Sequence, residues 1–80
     1  MRIKSEHTEW YRQIGKKISY YRKLRGLTQE QLAESADIHL TFLGAIEAPN
    51  MEKAVSLDTL FDIAKVLNVP PYKLMQFEED

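Results

Sequence analysis

The chain has 80 residues, the size of one domain. With 44% hydrophobic and 29% charged residues it is too apolar for a disordered chain, and the absence of cysteine excludes disulfides and thiolate metal sites. The formal net charge of −1 argues against a uniformly basic nucleic-acid binder, but residues 1–25 carry +6 and residues 26–80 carry −7. Such asymmetry can give a basic footprint on a neutral protein; the plainer alternative is a solvated basic helix face.

Residues 1–7 are expected to form a flexible tail, with Trp10 and Tyr11 next to it on the flank of the domain. A first helix is expected over residues 8–25. Ile14, Ile18, Tyr21 and Leu24 form its buried stripe, with Arg12, Lys16, Lys17 and Lys23 in solvent. Gly26 ends it, because glycine tolerates the left-handed cap. Thr28-Gln29-Glu30-Gln31 fits a capping box that opens a second helix, in which Leu32 and Ala33 face inward. Asp37 marks a sharp turn, since Asp accepts the left-handed region, and Ile38 plugs the gap behind it. The third helix is expected over 39–48, with Leu43 and Ile46 inward, Phe42 beside them, and Pro49 as its stop. Ser56 caps a fourth helix whose Leu57, Leu60, Phe61, Ala64 and Leu67 face the core. Asn68 and two prolines end it, and Pro71 suits the first turn of a short fifth helix, "PYKLMQF". Residues 78–80 are expected to be a frayed acidic tail, leaving one domain over 8–77.

Taken in order, "IGKKISYYRKLRGLTQEQLAESADIHLTFLGAIEA" and "SLDTLFDIAKVLNVPPYKL" resemble the phage-repressor (Cro/C1-type) helix-turn-helix family. The specific parts are Arg22, "LTQEQLA", the Ile38 plug, Ile46-Glu47 and "LDTLFDIAKVLNV". The resemblance implies an all-α, compact five-helix lambda-repressor-like domain. Its second and third helices form the helix-turn-helix, with the third in the major groove. It also implies a structural ion pair of Arg22 with Glu47, and a DNA phosphate on Gln29. That glutamine sits in a first helical turn, where free N–H groups attract anions. Thr28 is chiefly a cap, with phosphate contact secondary.

The base-facing positions implied by the family are His39, Leu40, Thr41, Gly44 and Ala45. Relatives commonly place Gln, Arg, Ser or Lys at several of these, so the bidentate Arg–guanine and Gln–adenine pairs are absent here. What remains is the Thr41 hydroxyl, the His39 imidazole, and apolar surface from Leu40 and Ala45 that suits thymine methyls. His39 is also a weak N-cap candidate. After Glu47 the family's polar residue and glycine are replaced by Ala48-Pro49, and the loop is longer. Asn50, Lys53 and Ser56 are the phosphate candidates there, joined by Lys23 and Arg25 at the Gly26 end of the first helix. So few cations imply weak binding with a shallow salt slope.

The expected function is sequence-specific regulation of transcription on double-stranded DNA, as a repressor. One short helix is too little for strong specificity, so a homodimer is expected. Tyr72, Met75 and Phe77, with Met51 and Val55, are its apolar patch; alternatively Tyr72 and Leu74 close the core and only Phe77 is exposed. The alternative function is a protein-interaction module or antitoxin on the same scaffold, which the uncharged third helix suits. An enzyme is not expected. There is no Cys nucleophile and no Gly-rich phosphate loop, and His7 and His39 have no metal-ligand spacing. Glu30 and Glu34 lie on a solvated face. No cofactor, metal, small-molecule ligand or membrane partner is expected, and no apolar run suits a signal peptide or a bilayer span, so the protein is expected to be cytoplasmic.

Overall fold

Most helix boundaries are set by a local signal. In a computed structural model of the chain, which describes residues 5–49 and 53–77, α1 spans Thr8–Leu24, α2 Gln29–Ala36, α3 Leu40–Glu47 and α4 Leu57–Leu67. No strand occurs among the described residues. Gly26 follows α1 at φ 74°, and the N–H groups of Gly26 and Leu27 donate to Lys23 and Arg22 carbonyls, each at 3.0 Å. The left-handed glycine thus satisfies two carbonyls that the helix would leave open.

At the start of α2, Thr28 Oγ1 accepts from the Gln31 N–H at 3.0 Å, and Gln31 Oε1 accepts from the Thr28 N–H at 2.9 Å. Both halves of the capping box are therefore made. Asp37, at φ 58°, ends α2, and the Ile38 N–H returns to Ala33 O at 3.0 Å. Ser56 Oγ accepts from the Thr59 N–H at 3.2 Å to open α4, and Asn68 closes that helix at φ 59°.

Two 3-10 turns flank the four helices, Ser5–His7 and Pro71–Met75. The second stands where a short fifth helix was expected, and it is a 3-10 turn. It opens with the three-residue step from the Lys73 N–H to Pro70 O, at 3.0 Å, the tighter 3-10 pattern. Of the expected N-terminal tail, residues 1–4 lie outside the described set, while Ser5–His7 lead straight into α1. Residues 78–80 also lie outside it.

The core joins Ile14 and Ile18 of α1, Leu32, Ala33 and Ala36 of α2, Leu43 and Ile46 of α3, and Leu60, Ile63, Ala64 and Leu67 of α4, closed by Leu74. Three expected core residues are instead exposed: Leu24, Leu57 and Phe61. In α4 the buried stripe runs through Leu60, Ile63, Ala64 and Leu67, at steps of three and four. Leu57 and Phe61 are left on its outer edge, while Ile63, missing from the expected set, is fully buried. In α1 the inward place in the last turn goes to Arg22, not Leu24. Val55 is buried, so it adds nothing to an exposed patch.

Candidate nucleic-acid interface

The turn between α2 and α3 needs only Asp37, Ile38 and His39. With α2 closed by the left-handed Asp37, the partly buried Ile38 packs on the core and sets the direction in which α3 leaves. His39 is the N-cap residue of α3, but its side chain makes no capping bond. Leu43 and Ile46 anchor α3, with Phe42 half-buried beside them.

Its other side looks outward. Leu40 is 41% exposed, His39 and Thr41 are exposed, and Gly44 and Ala45 are half-buried. A Cβ at Gly44 would meet only Gln29 Oε1, at 3.8 Å, so this part of the face is open. Helix α3 carries no basic residue, and its one charge, Glu47, is turned inward.

Glu47 is held from two elements. Arg22 Nε lies 2.9 Å from its Oε2, and Arg22 Nη2 lies 2.9 Å from its Oε1, a forked pair. Gln29 Nε2 donates to Oε1 at 3.0 Å. The third guanidinium nitrogen, Arg22 Nη1, donates to Leu27 O at 2.8 Å. The two charged side chains are 11% and 4% exposed, so the pair locks α1, the α1–α2 connection and α3 together away from water. Among the described residues no buried side-chain N or O lacks a partner.

The basic side chains divide into separate groups. Lys53 is exposed and its Nζ lies 5.5 Å from the centroid of the Phe42 ring, beside α3. Lys23 is exposed on the last turn of α1. Arg25, expected with Lys23 at phosphates, donates through Nε to Leu67 O at 2.7 Å and through Nη2 to Asn68 O at 3.4 Å. It binds the C-terminus of α4, where the helix dipole favours a cation. Lys16 and Lys17 border a groove with Tyr20, Lys73 and Gln76 that no residue of α2 or α3 lines. Thr28 and Ser56 are occupied as caps at the first turns of α2 and α4. Asn50 and Met51 lie outside the described residues.

Arg12, expected in solvent, donates from Nε to Pro49 O at 2.9 Å and ties α1 to the loop after α3. No local pattern announces this bond or that of Gln29 to Glu47, since each joins residues far apart in the chain. Tyr72 and Met75 are exposed, whereas Phe77 is partly buried and stacks on Trp10 at 5.6 Å. Trp10, Tyr11, Leu57 and Met75 line an open groove of about 650 Å³. Among the described residues no group of three or more His, Asp or Glu is placed to hold a metal ion, and no helix is long and apolar enough to cross a membrane.

A family model described as helix-turn-helix matches residues 18–74. The chain is 39% identical over 62 residues to the control protein C.SmaI of Serratia marcescens, covering 78% of this chain and 71% of that protein. Among solved structures, the restriction-modification controller protein C.AhdI from Aeromonas hydrophila matches with a TM-score of 0.74 at 26% identity. That match covers 80% of this chain and 94% of the other. The biofilm master regulator SinR, in a crystal structure with DNA, matches with a TM-score of 0.73 at 33% identity, over 79% of this chain and 98% of the other.

Proposed function

The chain belongs to the helix-turn-helix family, and on that footing we propose that it is a sequence-specific regulator of transcription that binds double-stranded DNA as a homodimeric repressor in the cytoplasm. The observation that carries this reading is the outward face of α3, where His39, Leu40 and Thr41 are exposed. Helix α3 enters the major groove with His39, Leu40, Thr41, Gly44 and Ala45 toward the bases. The first turns of α2 and α4, capped by Thr28 and Ser56, offer N–H groups such as that of Gln29 to phosphates, with the Thr28 hydroxyl as a secondary contact, and Lys23 and Lys53 add charge. Gln29 can keep its bond to Glu47 while its backbone N–H meets a phosphate. The Pro71–Met75 turn takes the place of the family's fifth helix.

Tyr72 and Met75, with the Trp10–Phe77 stack, supply apolar surface for a second copy. A dimer presents two α3 helices to half-sites about one helical turn apart, roughly 34–36 Å. Two of the similar proteins support this reading by what they are, a control protein and a regulator crystallised with DNA.

The test is selection from random duplex DNA at low salt. The expected result is an enriched inverted repeat, with Thr41→Ala changing the preferred sequence. The absence of any basic residue from α3 favours a second reading, a protein-interaction module or antitoxin. That reading expects no enriched duplex at low salt, an outcome that overturns the regulator.

A further inference from the structure

We propose that the chain recognises its DNA site mainly through thymine methyl groups, with Leu40 as the specificity-determining side chain and Thr41 and Ala45 beside it. This rests on the DNA-binding reading above.

The polar groups available to read base edges are few. Helix α3 has no Lys, Arg, Asn or Gln, and Glu47 is closed off by Arg22. The nearest amide on α2, Gln29, has its Nε2 engaged by the same carboxylate. The bidentate contacts that distinguish guanine and adenine cannot be formed from this face.

What the face does offer is aliphatic. Leu40 is 41% exposed on the first turn of α3, and the core beneath is already filled by Leu43 and Ile46. Thr41 adds a methyl as well as a hydroxyl. Beside them the helix surface is low: Gly44 has no side chain, and only Gln29 Oε1 lies near the space its Cβ would take. Apolar contact needs heavy atoms within about 4.0–4.5 Å, so a low surface matters, because it lets the helix seat deeply. Among the four bases only thymine projects a methyl group into the major groove. An aliphatic face that lacks bidentate donors therefore selects T·A pairs by shape and desolvation.

The experiment takes the duplex enriched by selection and replaces its thymines one at a time with uracil, which removes the methyl and keeps every hydrogen-bonding group. Each contacted position is expected to lose about fourfold in affinity, the worth of one buried methyl-sized group. At those positions 5-methylcytosine should bind better than cytosine. Leu40 is 41% exposed, so Leu40→Ala should keep the fold, and at the position that Leu40 contacts it should bind thymine and uracil duplexes alike, while thymines met by Thr41 or Ala45 keep their preference.

Equal wild-type affinity for both duplexes overturns methyl recognition and leaves DNA binding standing. Thymine preference that persists undiminished at every position in Leu40→Ala overturns the role of Leu40. Failure to enrich any duplex overturns both this inference and the regulator reading.

Discussion

Gly15 in α1 lies directly against the backbone carbonyl of Ile46 in α3, so that a Cβ at residue 15 would overlap that oxygen. The obstruction is main chain and cannot rotate aside. Gly15→Ala must push α3 outward, with Ile46 and Glu47 attached. It should destabilise the domain by about 1–3 kcal/mol, as overpacking does. Thermal melting should record a fall of roughly 4–8 °C for each kcal/mol. Gly44→Ala on the outward surface of α3 is the control, since its surroundings are open. Its melting temperature should stay level or rise.

Arg22 and Glu47 form the charged joint between α1 and α3. Arg22→Ala leaves a nearly buried carboxylate with only Gln29 and also frees Leu27 O. The expected loss is about 3–5 kcal/mol, a large part of a small domain's stability. Replacing both partners with Met or Leu should cost less than Arg22→Ala, because no unpaired charge is then buried. A denaturant series on both singles and the double variant measures this. An unchanged midpoint for Arg22→Ala would contradict it.

Arg25 binds the end of α4, so its replacement should be felt in folding more than in DNA affinity. Arg25→Ala is expected to cost about 0.5–1 kcal/mol from the loss of a cation at a helix C-terminus. The salt dependence of DNA binding should be unchanged, whereas Lys53→Ala should make the slope shallower by about one unit. Titrations at three salt concentrations separate the two.

Glu9 carries a pH signature. Its carboxyl is held below the ordinary carboxylate range by a hydrogen bond from Gln13, at 2.8 Å, and next by Arg12. In the unfolded chain it returns to the ordinary value and takes up a proton at higher pH than in the folded one. Its stabilising contribution is therefore present at neutral pH and is lost as pH falls through the ordinary range to the depressed folded value. The group is exposed, so the effect on stability is small and is best followed by NMR titration of Glu9 itself. Gln13→Ala should move that midpoint upward.

Most helix ends were legible in the sequence. Thr28 with Gln31, Asp37, Ser56 and Asn68 each act on backbone groups within one or two turns, so local chemistry suffices to place them. The helical period also located most of the core. It failed at Leu24, Leu57 and Phe61, because it marks a stripe about 100° wide and does not say which edge the neighbouring helices cover. The pairing of Arg22 with Glu47 could be suggested by likeness to a family, but no local pattern links residues 25 apart in sequence. Gln29 on Glu47 and Arg12 on Pro49 carry no such signal at all.

By itself the sequence determined where the helices start and stop, and that α3 has no basic or amide side chain for the bases. Both are properties of a residue and its nearest neighbours. Only the tertiary structure decided that Gly15 must remain bare, that Arg25 serves α4, and that Leu40 faces solvent while Leu43 does not. Burial and charge pairing depend on everything within a few ångströms, and the chain brings those groups together from distant positions.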